Sequence, residues 1–348
     1  MANLHTLNLS NSEPPSGLST KAASFTSSYA SSAVTTPSTS SPPSVKQDLS
    51  ESGGSDDDEE WYTSEYDEQF PPLPEEPPVK NLAIDAGTPD AWVQRDERMI
   101  RLTGKHPYNC EAPLDALWNA GWLTPQALFY VRTHGATPNV SQQEAKDWKL
   151  QIHGLVKRPM SFTIDDLKRL FPTVSVPVTL VCAGNRRKEQ NMVMKGLGFN
   201  WGAAGVSNGI FTGVYLADVL DYCKPLRPVG AFPYQRDVPG RARHVIFEGI
   251  DDLPKGRYGT SQRLTWARDR TKSMILAWGL NGEPLSPDHG FPLRLVVPGQ
   301  IGGRMVKWLN RIEVSDKESQ HYVSTDLCGS SLAWRHTKHS ADTFISIH

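Results

Sequence analysis

Between Glu51 and Glu76 the chain carries eleven acidic residues and no basic one. The fifty residues before that stretch hold 20 Ser or Thr and only two aromatic residues, Phe25 and Tyr29. Such a composition cannot bury enough apolar surface to offset the entropy of ordering it. Residues 1–80 are therefore expected to form a disordered, Ser/Thr-rich and acidic tail. It ends in a stiff, extended connector, Pro71-Pro72-Leu73-Pro74-Glu75-Glu76-Pro77-Pro78. Folding is left to a domain spanning 81–322, followed by a divergent C-terminal tail, 323–348.

Charge divides along the same line. The 348-residue chain has a formal charge of −2, but residues 1–80 hold 13 acids against three bases, a net −10. The remainder holds 33 bases against 25 acids, a net +8. A basic body favours anionic ligands or acidic partners. No zinc-finger, RNA-recognition or basic-zipper pattern accompanies the charge, so nucleic acid is not expected as a partner. Cys110, Cys182, Cys223 and Cys328 stand far apart with no CxxC pair, which argues against a disulfide framework or a structural zinc and for a reducing compartment. The start, MANLHTLNLS, lacks the basic and apolar regions of a signal peptide, so a cytoplasmic location is expected. The uncharged run Gly196 to Ala217 is long enough to span a bilayer. It contains six glycines with Asn200 and Asn208, which predicts loops and turns rather than a membrane helix.

Short helices are expected at Asp96–Leu102, Pro113–Trp118 and Tyr215–Tyr222. Thr163-Ile-Asp-Asp166 has the form of a capping box, with Leu167, Leu170 and Phe171 following at helical spacing. Strands are expected at Lys149–Val156, Val174–Val181, Arg243–Glu248, Ser273–Trp278, Leu293–Val297 and Arg304–Val314. Pro177 makes its strand an edge strand or delays its start, and Asn281-Gly282 predicts a tight turn. Many strands with few helices and no regular βαβ spacing predict an α+β fold of mixed β-sheets.

The strand ending at Val181 leads into Cys182-Ala-Gly-Asn-Arg-Arg-Lys188. Three bases following so closely would favour a thiolate, making Cys182 a nucleophile, a redox sensor or a soft metal ligand. The alternative is a buried structural cysteine beside a solvated basic turn. Arg132-Thr133-His134 and the stretches Asp288–Arg294 and Gly302–Lys307 have the form of anion sites, with glycine amides, bidentate Arg and a Lys point charge. No GxGxxG or GxxxxGK[ST] loop occurs, which disfavours the common nucleotide enzymes.

Five stretches occur in a telling order: Phe129-Tyr-Val-Arg-Thr-His134, Val181-Cys-Ala-Gly-Asn-Arg-Arg187, Tyr258-Gly-Thr-Ser261, Ser286-Pro-Asp-His-Gly-Phe-Pro-Leu-Arg294 and Gly302-Gly-Arg-Met-Val-Lys-Trp308. Together they resemble the molybdopterin domain of the sulfite oxidase and eukaryotic nitrate reductase family, over about residues 80–322. Arg187-Lys-Glu-Gln-Asn-Met192 and Gly198-Phe-Asn-Trp-Gly-Ala-Ala-Gly-Val-Ser207 resemble the assimilatory nitrate reductases of fungi and plants.

The resemblance implies a molybdenum–molybdopterin cofactor, with Cys182 as the protein thiolate on molybdenum; soft sulfur suits such a redox metal. It places Arg132, His134, His289, Arg294, Arg304 and Lys307 near the pterin and its phosphate, with Tyr258 and Ser261 bordering the cofactor. Arg187 and Trp201 fall at substrate-pocket positions, where a planar guanidinium suits planar nitrate. The implied reaction is oxygen-atom transfer from nitrate, yielding nitrite. A sulfite-oxidising relative and an inactive cofactor-binding fragment are the alternatives.

After Gln320-His-Tyr322 the resemblance stops. Family members continue into a dimerisation domain, a haem domain and a flavin (FAD) reductase, and they form homodimers. Val323–His348 resembles none of these modules. Its Val323-Ser324 can be encoded by a splice-donor sequence, so the chain is expected to be a truncated gene product that relies on a separate haem or flavin electron-donor domain. His336 and His339 in this tail could form a metal site, but a polar tail without one is the plainer expectation.

Overall fold

Residues 70–196, 198–226 and 240–322 are described by a computed structural model. Period-two alternation builds the first of two five-stranded sheets. Its strands are Leu150–Gly154 (β6), Met160–Phe162 (β7), His244–Gly249 (β10), Gly259–Arg263 (β11) and Leu309–Ser315 (β15), in the order β11-β10-β15-β6-β7. Only β15 and β6 run parallel; the other pairs are antiparallel. Leu150 and Ile152, Val245 and Phe247, and Ile312 and Val314 are buried, as alternation requires.

The second sheet is formed by Thr173–Val181 (β8), Val206–Tyr215 (β9), Ile275–Leu280 (β12), Glu283–Pro284 (β13) and Arg294–Val296 (β14). The order is β13-β12-β9-β8, with β14 also pairing β12. All six residues of β12 are buried. Apolar residues from both sheets belong to one continuous core. Two short pieces precede these sheets: a ribbon of Lys80–Asn81 (β1) with Gln94–Arg95 (β2), and a three-stranded sheet of Ile100–Arg101 (β3), Asn109–Glu111 (β4) and Val131–Arg132 (β5). The helices are short: Leu114–Ala120 (α1), Gln142–Lys146 (α2), Ile164–Leu170 (α3), Arg187–Val193 (α4), Leu216–Cys223 (α5) and Leu264–Ala267 (α6). The architecture is α+β with mixed sheets, as the strand-rich pattern predicts.

Local chemistry accounts for the agreements. Thr163 and Asp166 form the reciprocal capping box that starts α3. β8 runs straight through Pro177 because it lies at the sheet edge, where a missing N–H leaves no partner unsatisfied. Asn281 and Gly282 both adopt positive φ and close the β12–β13 hairpin.

Three expectations are corrected. Asp96–Leu102 is a turn followed by β3, not a helix: the Asp96 carboxylate accepts hydrogen bonds from the Arg98 amide and guanidinium, which competes with helical bonding. The strand expected from Arg304 starts only at Leu309, because Gly302–Arg304 forms a 3₁₀ turn and Trp308 has φ 49°. The basic loop after Cys182 ends at Arg186, in the left-handed region, and Arg187 opens α4.

The uncharged run Gly196 to Ala217 contains β9 and the first residues of α5. Among the described residues no helix is long and apolar enough to cross a membrane. Residues 71–79 carry no regular structure, but the Glu76 carboxylate accepts from the Gln126 amide at 2.6 Å and the Ala127 amide at 3.2 Å. The expectations for residues 1–69, and for Cys328, His336 and His339, lie outside the described residues.

Candidate functional site

Strand β8 delivers Cys182 to the rim of a cavity of about 420 Å³, and four other chain segments complete its walls. β5 and its flanks contribute Tyr130, Arg132 and His134; the start of β11 contributes Tyr258, Gly259 and Thr260. The turn after β13 contributes Asp288 and His289, and the stretch before β15 contributes Gly302, Gly303, Arg304 and Lys307. Arg187, at the first turn of α4, and Phe199 and Trp201, on the returning loop, face the same space.

Two glycines fix Arg187. A Cβ at Gly184 or at Gly198 would lie 2.8 Å from its Nη1, and Gly198 has φ +97°, where a side chain is strained. Arg187 Nη1 donates to the Phe199 carbonyl at 3.3 Å. Trp201 is buried behind it, edge-on to Tyr130 with ring centroids 5.6 Å apart.

The cavity collects more cations than the two carboxylates in its lining, Asp251 and Asp288, can balance. Arg294 donates to the carbonyls of His289 (2.9 Å) and Met305 (3.4 Å), while its buried Nε has no partner. Lys307 Nζ donates to the Asp288 carbonyl at 2.8 Å. Burial lowers the Arg294 guanidinium to about 10 and the Lys307 ammonium to about 7. Arg132 donates to Asn109 Oδ1 at 3.1 Å and to the Thr133 carbonyl, and burial lowers it too. Arg304 Nη1 donates to Thr260 Oγ1 at 2.8 Å. Tyr258 donates its hydroxyl to the Gly303 carbonyl at 2.7 Å and lies against the His134 ring.

Burial, reinforced by neighbouring cations, lowers His134 to about 3 and His289 to about 4. Both are neutral near pH 7 in the fold, yet protonate near 6.5 once unfolded. The unfolded state therefore binds more protons below pH 6.5, so stability falls as pH drops from about 6.5 toward 4. His289→Gln should flatten this slope in urea titrations at pH 4.5 and 7; an unchanged slope would assign the acid sensitivity elsewhere.

The thiol itself departs from expectation. Burial raises the Cys182 pKa, and the lowering influences, the Gly184 amide at 3.4 Å from Sγ and the charges of Arg132 and Arg187, do not overcome it. Of the bases next to it in sequence, Arg186 turns away to pair with Glu189. Its nearest helper from elsewhere, Arg132, comes from a strand fifty residues upstream.

Ten of the eleven residues singled out from sequence line the cavity. Ser261 does not: strand alternation directs Thr260 to the cavity, and the Ser261 hydroxyl accepts from the Ser319 amide at 3.1 Å. Asp251, Asp288, Thr260, Tyr130 and Phe199 also line it and were not singled out. Asp288 was visible within the stretch before Arg294, one position from His289.

The space is roomy, rich in cations and bordered by a cysteine sulfur. The unpartnered Arg294 Nε, the buried Lys307 and the glycines at 302 and 303 suit a phosphorylated organic group. Comparison with known proteins defines that group. The sequence profile of the family described as "Oxidoreductase molybdopterin binding domain" matches residues 134–323, and the chain belongs to that family.

A "Nitrate reductase [NADPH]" of Mycosarcoma maydis is 69% identical over 262 residues, covering 74% of this chain and 27% of the relative. "Nitrate reductase [NADH] 1" of Oryza sativa subsp. japonica is 53% identical over 253 residues, covering 72% and 26%. The chain thus spans about a quarter of the length of these relatives. Among solved structures, the sulfane dehydrogenase SoxCD of Paracoccus pantotrophus has a similar fold, with TM-score 0.52 and 27% identity, over 66% of this chain and 52% of that one.

Proposed function

We propose that this chain is the nitrate-reducing part of a molybdenum enzyme, converting nitrate to nitrite with Cys182 as the protein ligand of the metal. The observation that carries this reading is Arg187, held by Gly184, Gly198 and the Phe199 carbonyl on the wall of the cavity that Cys182 enters. The molybdenum cofactor, when bound, supplies two-electron oxygen-atom chemistry.

Each remaining task falls to a side chain of this protein. Arg132, His134, His289, Arg294, Arg304 and Lys307, with Tyr258, hold the pterin and its phosphate by donors and charge; Ser261 supports Thr260 from the next position of β11. Arg187 binds and orients nitrate through its planar fork and stabilises charge on the departing nitrite. Trp201 walls the pocket, packed against Tyr130 and Phe199. Electrons come from a haem or flavin donor domain, docked on the basic body with salt-sensitive affinity.

The test is nitrite formation by cofactor-loaded chain with reduced viologen as the donor. The intact chain should form nitrite, and Arg187→Lys should raise the nitrate KM roughly tenfold, the scale of losing one hydrogen bond to a charged group. Sulfite-dependent dye reduction without nitrite formation would overturn the assignment in favour of a sulfite-oxidising enzyme.

A further inference from the structure

A buried ionic cluster joins Arg95 and Asp85, which precede the span matched by the family profile, to Asp288, which lies within it and lines the cavity. Arg95, on β2, is 4% exposed and stacks on the Tyr108 ring at 3.7 Å. Its fork is fully committed: Nε donates to Asp288 Oδ2 at 2.8 Å, Nη2 to Asp288 Oδ1 at 3.0 Å, and Nη1 to Asp85 Oδ2 at 3.0 Å. Thr137 adds a third donor to the Asp288 carboxylate at 2.9 Å. The same residue's backbone carbonyl receives Lys307 Nζ, and the next residue is His289, whose Nε2 lies 3.1 Å from the Gln126 carbonyl.

We infer that Arg95 is a positioning residue for cofactor retention: by clamping both carboxylate oxygens of Asp288, it fixes the carbonyl that aims Lys307. A planar fork determines the orientation of a carboxylate, which a point charge cannot do. The Asp288 carboxylate is therefore spoken for from below, and only its carbonyl faces Lys307. Charge reinforces the geometry. Lys307 is flanked by Arg294 and Arg132, which disfavour its charged form, and by Asp288 and Asp251, which favour it. A displaced Asp288 would leave Asp251 as the one carboxylate favouring the ammonium against Arg294 and Arg132. The inference rests on the reading that Lys307 holds the cofactor.

Arg95→Ala would leave the buried Asp288 carboxylate without its guanidinium, while Asp85 keeps Arg101 at 2.7 Å, and would lose the fold, so the informative substitution is Arg95→Lys. The full chain is loaded with the molybdenum cofactor, and its release is followed by pterin fluorescence, in the intact chain, Arg95→Lys, Lys307→Ala and the double variant. Each single variant should release cofactor about tenfold faster, the scale for outer partners of a metal site. In the Lys307→Ala background, Arg95→Lys should change release by less than about twofold, because its effect passes through Lys307. A merely structural role would multiply independently in the double variant.

Unchanged release from Lys307→Ala would overturn the reading of the cradle itself. Fast release from Lys307→Ala with Arg95→Lys silent, or with independent multiplication, would overturn the role of Arg95 alone. If Arg95→Lys does not fold, Thr137→Val, which removes the third donor to Asp288, decides by the same cycle.

Discussion

Cys182→Ser is expected to cut viologen-driven nitrite formation by at least about two orders of magnitude, since even partners outside the metal's own ligand set are worth 10–100-fold. The substitution changes one atom. The Cys182 amide would still donate to the Gly205 carbonyl at 2.8 Å, and the Gly184 amide would still face the side chain. The melting temperature of the cofactor-free chain should therefore stay unchanged. What is lost is a polarisable sulfur: a serine hydroxyl is far less acidic and a hard donor, poorly matched to a redox-active metal. Burial raises the thiol pKa in the protein alone, and a serine hydroxyl is less acidic still, so it would give up its proton to a bound metal much less readily. Molybdenum content and nitrite output are measured together. A variant that holds molybdenum and turns over at the parent rate would remove Cys182 from the mechanism.

The second large effect concerns folding. Gly213 lies in β9 opposite Ala277 of β12, beside the register shift between Ala277 and Gly279. A Cβ there would overlap the Leu276 carbonyl oxygen and stand 2.7 Å from both Ala277 Cα and the Leu276 carbonyl carbon. These are backbone atoms of a fully buried strand and cannot rotate away. Gly213→Ala must push β9 off β12, at the centre of the second sheet. The expected loss is several kcal/mol, a large share of the roughly 5–15 kcal/mol that holds a domain together. Urea unfolding monitored by tryptophan fluorescence would show it as a lowered midpoint or as an insoluble chain; an unchanged midpoint would show that the strands yield easily.

The elements that could be read from sequence are those whose reasons are local. Thr163 and Asp166 lie three positions apart and cap one helix; Asn281-Gly282 is a turn wherever two strands flank it. The site residues were legible because they come in short runs in a fixed order, and most of those runs open onto one cavity. Local runs mislead where alternation chooses between neighbours: Ser261 was selected, while Thr260 faces the cavity and binds Arg304. They mislead again where side chains diverge, as Arg186 does beside Cys182. α4 went unseen because Arg187-Lys-Glu-Gln is polar all round and buries none of its residues. Least legible were contacts spanning the chain. Arg95 and Asp288 are 193 residues apart and Glu76 meets Gln126 across 50, and no window of sequence contains both partners.

The cation-rich cavity would also couple the protein's survival to the supply of its cofactor. With nothing bound, Arg294 and Lys307 donate to carbonyl oxygens rather than to carboxylates, and their mutual repulsion works against the closed fold. An anionic occupant relieves that repulsion and adds its own binding free energy to the folded state alone. At a free concentration 100 times its dissociation constant this amounts to about 2.7 kcal/mol. Proteases act on the open form. A cell starved of molybdenum would then clear the empty chain faster than the filled one, and the standing amount of the protein would become a gauge of metal supply without any sensor devoted to the task.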